Sequence, residues 1–150
     1  MSNQLTAADL LAMAETACTS ARALLDLGDT RGAINRAYYA MFDAARAALL
    51  KEDAPVDPNI IRTHSGLIGA FGQHVVKNNP DLSAMGRILN ATQENRIRAD
   101  YKGASLNPAV AEVMVEQAEA FVTAIKTLQF DRHPELPKLD SSSGFSFDPF

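Results

Sequence analysis

The sequence predicts an all-α fold, an up-and-down bundle of four main helices plus a fifth helix. Every long periodic segment carries its apolar residues at helical spacing, and no segment alternates as a strand. Capping residues stand directly before prolines at Asp57-Pro58, Asn79-Pro80 and Asn107-Pro108. That pair marks helix starts, because a proline in the first turn has no hydrogen-bond partner to lose. Seven alanines between Ala33 and Ala48 allow helices to approach closely, as inside a bundle or at a helical dimer interface.

The first helix is expected from about Thr6 to Leu27, with Thr6 as N-cap and Asp9 completing a capping box. Leu10, Met13, Ala17, Leu24 and Leu27 follow helical spacing and are read as its buried stripe. Gly28 stops that helix, and Asp29 caps the next. The second runs from about Thr30 to Lys51, with Ile34, Ala37, Tyr38, Met41, Ala45 and Ala48 inward. Asn35, Arg36, Tyr39, Asp43 and Arg46 mark its polar sides. Tyr38 and Tyr39 cannot both face one core, so one of them offers its hydroxyl to a polar network or an interface.

The proline starts place a third helix at about 58–78, a fourth at 80–101 and a fifth at 108–130. Val110, Val113, Met114, Ala118, Phe121, Ile125 and Leu128 are read as inward on the fifth. Gly66, Gly69 and Gly72 sit inside the third, where each costs about 1 kcal/mol relative to alanine. Close packing of another backbone is the expected reason. Residues 1–130 are thus expected to form the helical domain. From Asp131 the composition shifts to proline, serine and phenylalanine without periodicity, so 131–150 reads as a mobile tail. Its Phe145, Phe147 and Phe150 are candidates for docking in a groove.

Composition narrows the function. No run of about 18 apolar residues is present, so no membrane span is expected. The start MSNQLTAADLL lacks the basic and apolar regions of a secretory signal. Together with a single cysteine, Cys18, this fits a reducing cytoplasm, and Cys18 reads as a buried structural thiol. The net charge of -4 is uneven: residues 1–29 carry -3, residues 30–110 carry +3 and residues 111–150 carry -4. The basic middle permits an anionic ligand there.

The densest polar stretch, TQENRIRADY at Thr92–Tyr101, lies in that basic part. Arg96 and Asp100 share a helix face at i,i+4, while Tyr101 lies roughly 140° round from Arg96. Folding the third and fourth helices about Asn79-Pro80 brings His64 level with Arg96. An arginine beside the histidine would favour the neutral imidazole, which can act as a base. His64 and His74 are out of phase for a metal pair, and no phosphate loop, GxGxxG, CxxC or HExxH occurs. No metal or cofactor is therefore expected.

Three stretches carry a resemblance: NRAYYAMFDAARAALL at Asn35–Leu50, RTHSGLIGAFGQHVV at Arg62–Val76 and RIRADY at Arg96–Tyr101. In order and spacing, over roughly residues 6–128, the chain resembles HEPN-domain proteins of the small stand-alone prokaryotic branch. The resemblance implies a bundle of four to five helices that forms a homodimer, with polar residues of two subunits meeting in a shared cleft. Many HEPN domains are metal-independent ribonucleases whose motif is an arginine, four to six residues, then a histidine. Many small ones are toxins beside a minimal nucleotidyltransferase antitoxin, which in some cases adenylylates a tyrosine near the motif.

Arg96 matches the motif arginine, but Tyr101 stands where the histidine would follow, and Lys102 and Gly103 come next. The expected site comprises Arg96, Asp100, Tyr101 and His64 as catalytic candidates, with Arg98, Asn35, Arg36 and Tyr39 contacting RNA or a nucleotide. The alternative implied by the missing histidine is a non-catalytic interaction module acting through a protein partner.

Overall fold

In the computed structural model the described residues form five α-helices, α1 (Ala7–Asp26), α2 (Thr30–Lys51), α3 (His64–Ala70), α4 (Ser83–Lys102) and α5 (Pro108–Ile125). It describes residues 5–102 and 107–130, and within α4 the side chains as far as Glu94. The expected tail, 131–150, lies outside the described residues, among which there is no strand.

Local chemistry sets the ends of α1 and α2. The Thr6 hydroxyl accepts from the Asp9 N–H at 3.0 Å, and the Asp9 carboxylate accepts from the Thr6 N–H at 3.0 Å. Two otherwise orphaned donors of the first turn are satisfied in this way. Gly28 ends α1 at φ +86°, a left-handed conformation that costs glycine little. Asp29 then accepts from the Gly32 N–H at 2.9 Å and starts α2.

The core is built on α2, whose Ile34, Ala37, Tyr38, Met41, Ala45 and Ala48 are all buried. Ala14, Ala17 and Ala21 of α1 are buried with Ala33, Ala37, Ala40 and Ala44 of α2, and small faces let the two helix axes come close. From the other side α5 covers α2 with Met114, Ala118, Phe121 and Ile125. The Phe121 ring lies 5.4 Å from that of Phe71. Arg22 pairs with Glu119 at 2.7 Å and Lys126 with Glu15 at 3.1 Å, so α5 runs antiparallel to α1. Both pairs are well exposed and act on orientation more than on stability.

The third helix departs from expectation. It starts at His64, not near 58, and continues past Ala70 in wider π-type turns over Phe71–Val76. The Asp57 carboxylate accepts from the Asn59 N–H at 2.9 Å, closing a local turn instead of capping a helix. Thr63 provides the cap, accepting from the Gly66 N–H at 3.0 Å while its hydroxyl donates to the Ile60 carbonyl at 2.9 Å. A Cβ on Gly66 would collide with that carbonyl, so this glycine is required by its own chain's turn. A Cβ on Gly69 or Gly72 would meet nothing within 4 Å, and the expected packing of a second backbone is absent there.

Two stripes also shift. On α1, Met13 is 44% and Leu27 80% exposed, while Leu10, Leu11, Ala14, Cys18 and Ala21 face the core. On α5, Val110 and Val113 are 40% and 50% exposed, and Ala111, Val115 and Val122 are buried in their place. The rest of both readings holds, with Leu10 and Ala17 on α1 and Met114, Ala118, Phe121 and Ile125 on α5 buried as expected.

Cys18 is buried, and burial pushes its thiol up to about 11, with Glu119 and Glu15 adding to the effect. The unfolded thiol ionises near ~8.5. Between these values the unfolded chain has lost the proton and the native chain keeps it, so stability falls as pH rises. Wild type is expected to lose stability from about pH 8.5 to 11 relative to Cys18→Ala, measured as urea midpoints of the two proteins. Parallel pH profiles would refute the assignment.

Candidate functional site

The N-terminal half of α2, the start of α3 and the last turns of α4 frame one end of the bundle. The direction of α4 follows from two contacts. The Asn79 side-chain amide, just before α4, donates to the Glu52 carboxylate beyond the C-terminus of α2 at 2.9 Å. Thr92, fully buried, donates its hydroxyl to the Met41 sulfur at 3.7 Å. Helix α4 therefore runs antiparallel to α2, from its C-terminal end towards its N-terminal half. At ~1.5 Å per residue, Arg96 lies about 6 Å beyond Thr92, and Tyr38 about 4.5 Å beyond Met41 in the same direction. The α4 backbone at Arg96 is thus level with Tyr38. The side chains of Arg96, Arg98, Asp100 and Tyr101 lie outside the described residues.

His64 opens α3 and is half-buried. Its ring lies 5.0 Å from Tyr38 and 5.0 Å from Phe42, edge-on to each at interplanar angles of 67° and 76°. Tyr38 and Phe42 stack at 6.0 Å, one helical turn apart, and form a two-ring wall for the imidazole. Such edge contacts orient the ring as well as bury it. Phe42 was not singled out from the sequence, although Tyr38 and Phe42 share a helix face at i,i+4 and that spacing was the available signal.

Of the two tyrosines, Tyr38 is 1% exposed and belongs to the core, whereas Tyr39 is 40% exposed. Their rings meet edge-on at 5.8 Å, which leaves Tyr39 at the surface beside the His64 wall. Asn35, one turn before Tyr39 on α2, is half-buried. Arg36 goes elsewhere: it is exposed and lines a groove with Met13, Thr16, Ser20 and Asp43, on the α1 side of α2. Burial raises the Asp43 carboxyl above its ordinary range, against the lowering effect of Arg46 and Arg36. The structure thus brings His64, Tyr38, Tyr39 and Asn35 to the end reached by the Arg96 backbone, and turns Arg36 to the α1 side of α2.

Among the described residues, no three or more His, Cys, Asp or Glu side chains gather to hold a metal ion. Nor is any helix of the described residues long and apolar enough to cross a membrane. The chemistry available at this end is that of an imidazole held by two rings, an exposed phenol, a half-buried amide and a helix end whose sequence is basic.

Comparison with known proteins places this arrangement in a family. The chain is 33% identical over 117 residues to the protein named "Putative toxin MJ0605" of Methanocaldococcus jannaschii, covering 78% of this chain and 84% of that one. It is 34% identical over 123 residues to UPF0332 protein glr0978 of Gloeobacter violaceus, covering 76% and 88%. With a UPF0332 protein of Thermotoga maritima the identity is 29% over 109 residues, covering 72% and 79%. The model of the HEPN domain matches residues 7–128, a span that holds all five helices, His64 and the RIRADY stretch. The chain belongs to the HEPN-domain family.

Proposed function

We propose that this chain is the toxin of a toxin–antitoxin or defence pair, a cytoplasmic homodimer that binds and cleaves RNA without a metal ion. One observation carries the reading: an oriented imidazole, His64, stands at the end of the bundle to which the basic last turns of α4 run. The toxin name borne by the M. jannaschii relative supports the setting.

In this reading Arg96 and Arg98 hold the phosphate and stabilise the charge that grows on it during cleavage. His64 takes the proton from the ribose 2′-hydroxyl, whose oxygen then bonds to phosphorus as the bond to the 5′-oxygen breaks. That leaving oxygen takes up a proton from water. Asp100 orients Arg96 or a tyrosine hydroxyl. Tyr39 and Asn35 contact the bases, and Tyr101 binds substrate or accepts a nucleotidyl group from a minimal nucleotidyltransferase antitoxin. The dimer brings two such ends into one cleft.

The test is incubation of purified protein with mixed cellular RNA in chelator, beside Arg96→Ala. Cleavage by wild type and a loss of about 10²–10³-fold in the variant are expected, with folding stability within about 1 kcal/mol. No cleavage by either protein, both folded and dimeric, would overturn the catalytic reading in favour of a non-catalytic interaction module. A drop of several kcal/mol in Arg96→Ala would instead mark a buried structural network.

A further inference from the structure

A second concave site lies at the other end of α2. Leu10 of α1, Leu49 and Leu50 of α2, and Val56 and Ile61 of the link to α3 wall a cavity of about 340 Å³. This is near the lower limit of small-molecule sites, roughly 300–1,000 Å³. Leu49 is eleven residues along α2 from Tyr38, about 16 Å at helical rise, so the aliphatic walls lie away from His64, whereas the charged side borders it: Arg62 is two residues before His64 and the Arg46 guanidinium is 6.0 Å from the Phe42 ring.

The lining has an uncommon composition. Among the described residues that line it, Arg46 and Arg62 are the charged members and the others are aliphatic, with neither an acid nor an aromatic ring. Arg62 is exposed, and among the described residues it has no ion pair or hydrogen bond. Arg46 keeps 34% of its side chain exposed, and its contact with Asp43 is 3.8 Å long, beyond hydrogen-bond distance. Its guanidinium also lies 6.0 Å from the Phe42 ring. These contacts do not use up the five N–H donors of either guanidinium.

We propose that this cavity binds a small aliphatic carboxylate, its chain against Leu10, Leu49, Val56 and Ile61 and its head on Arg46 and Arg62. The planar fork of arginine matches a carboxylate by two parallel N–H···O bonds. Walls without rings or amides suit a hydrocarbon chain and offer a nucleobase nothing to stack on or pair with. The proposal stands apart from the reading of the His64 end.

The test uses the full chain with decanoate in titration calorimetry and thermal denaturation, against decanol as the neutral chain and inorganic phosphate as the bare anion. One decanoate per chain with a raised Tm is expected, together with at least about tenfold weaker binding of decanol and of phosphate, one tenfold step being ~1.4 kcal/mol. Arg62→Gln and Arg46→Gln, each checked for unchanged helicity, should each weaken decanoate by about tenfold, the loss of one charge-assisted pairing. Absence of decanoate binding at millimolar concentration would overturn the proposal. So would equal binding of decanol, or decanoate affinity unchanged in both folded variants.

Discussion

His64→Phe is expected to leave folding stability within about 1 kcal/mol of wild type while slowing RNA cleavage by about 10²–10⁴-fold. A phenyl ring keeps the edge contacts with Tyr38 and Phe42, both 5.0 Å from the imidazole, and so preserves most of the packing. It carries no nitrogen and cannot take a proton. Rate and stability therefore separate the two roles open to His64. Cleavage at the wild-type rate would remove it from the mechanism and send attention to Tyr101. A loss of several kcal/mol of stability would identify it as a member of a structural network. Chelator in every assay keeps contaminating metal-dependent nucleases silent.

Phe121→Ala is expected to cost about 3–5 kcal/mol, a large part of the stability of a domain this size. The ring is fully buried between α5 and α2 and meets Phe71 at 5.4 Å, so truncation opens a cavity and breaks an aromatic pair. The paired control is Val113→Ala, on the same helix but 50% exposed, which should stay within about 0.5 kcal/mol. Urea denaturation of the two variants reports the phase of α5 directly. Equal costs at both positions would mean that α5 is rotated about its axis relative to the structure described above.

Much of the helix plan was legible in the residues. The Thr6 and Asp9 capping box, Gly28 at φ +86° and the Asp29 cap are local devices, and the structure has each of them. Asn107 likewise accepts from the Ala109 N–H at 2.9 Å and starts α5. The Asp57-Pro58 pair misled because an aspartate beside proline serves a turn as readily as a helix start. There the competing bond to the Asn59 N–H won, and nucleation passed to Thr63. That shift turns His64 from a mid-helix residue into the first residue of α3.

The candidate site was legible in part. His64, Tyr39, Asn35 and the arginines of α4 were found as residue types in a basic stretch. Arg36 could not be separated from them, since it lies only about 60° from Tyr39 around the helix and the sequence does not say which flank meets α1. The aromatic wall made by Phe42 was missed because it arises from a meeting of α2 with α3, more than twenty residues apart.

By itself the sequence determined the helical class, the caps that start and stop most helices, and the HEPN resemblance, because these rest on local bonding and residue order. Only the tertiary structure decided how far the buried faces of α1 and α5 extend, where α3 begins and which rings hold His64. A periodic pattern specifies which face turns inward, but how far that face extends depends on the surface it packs against. Met13 and Val113 stand outside, and Leu11 and Val115 inside, because the alanine face of α2 is where the closest packing lies.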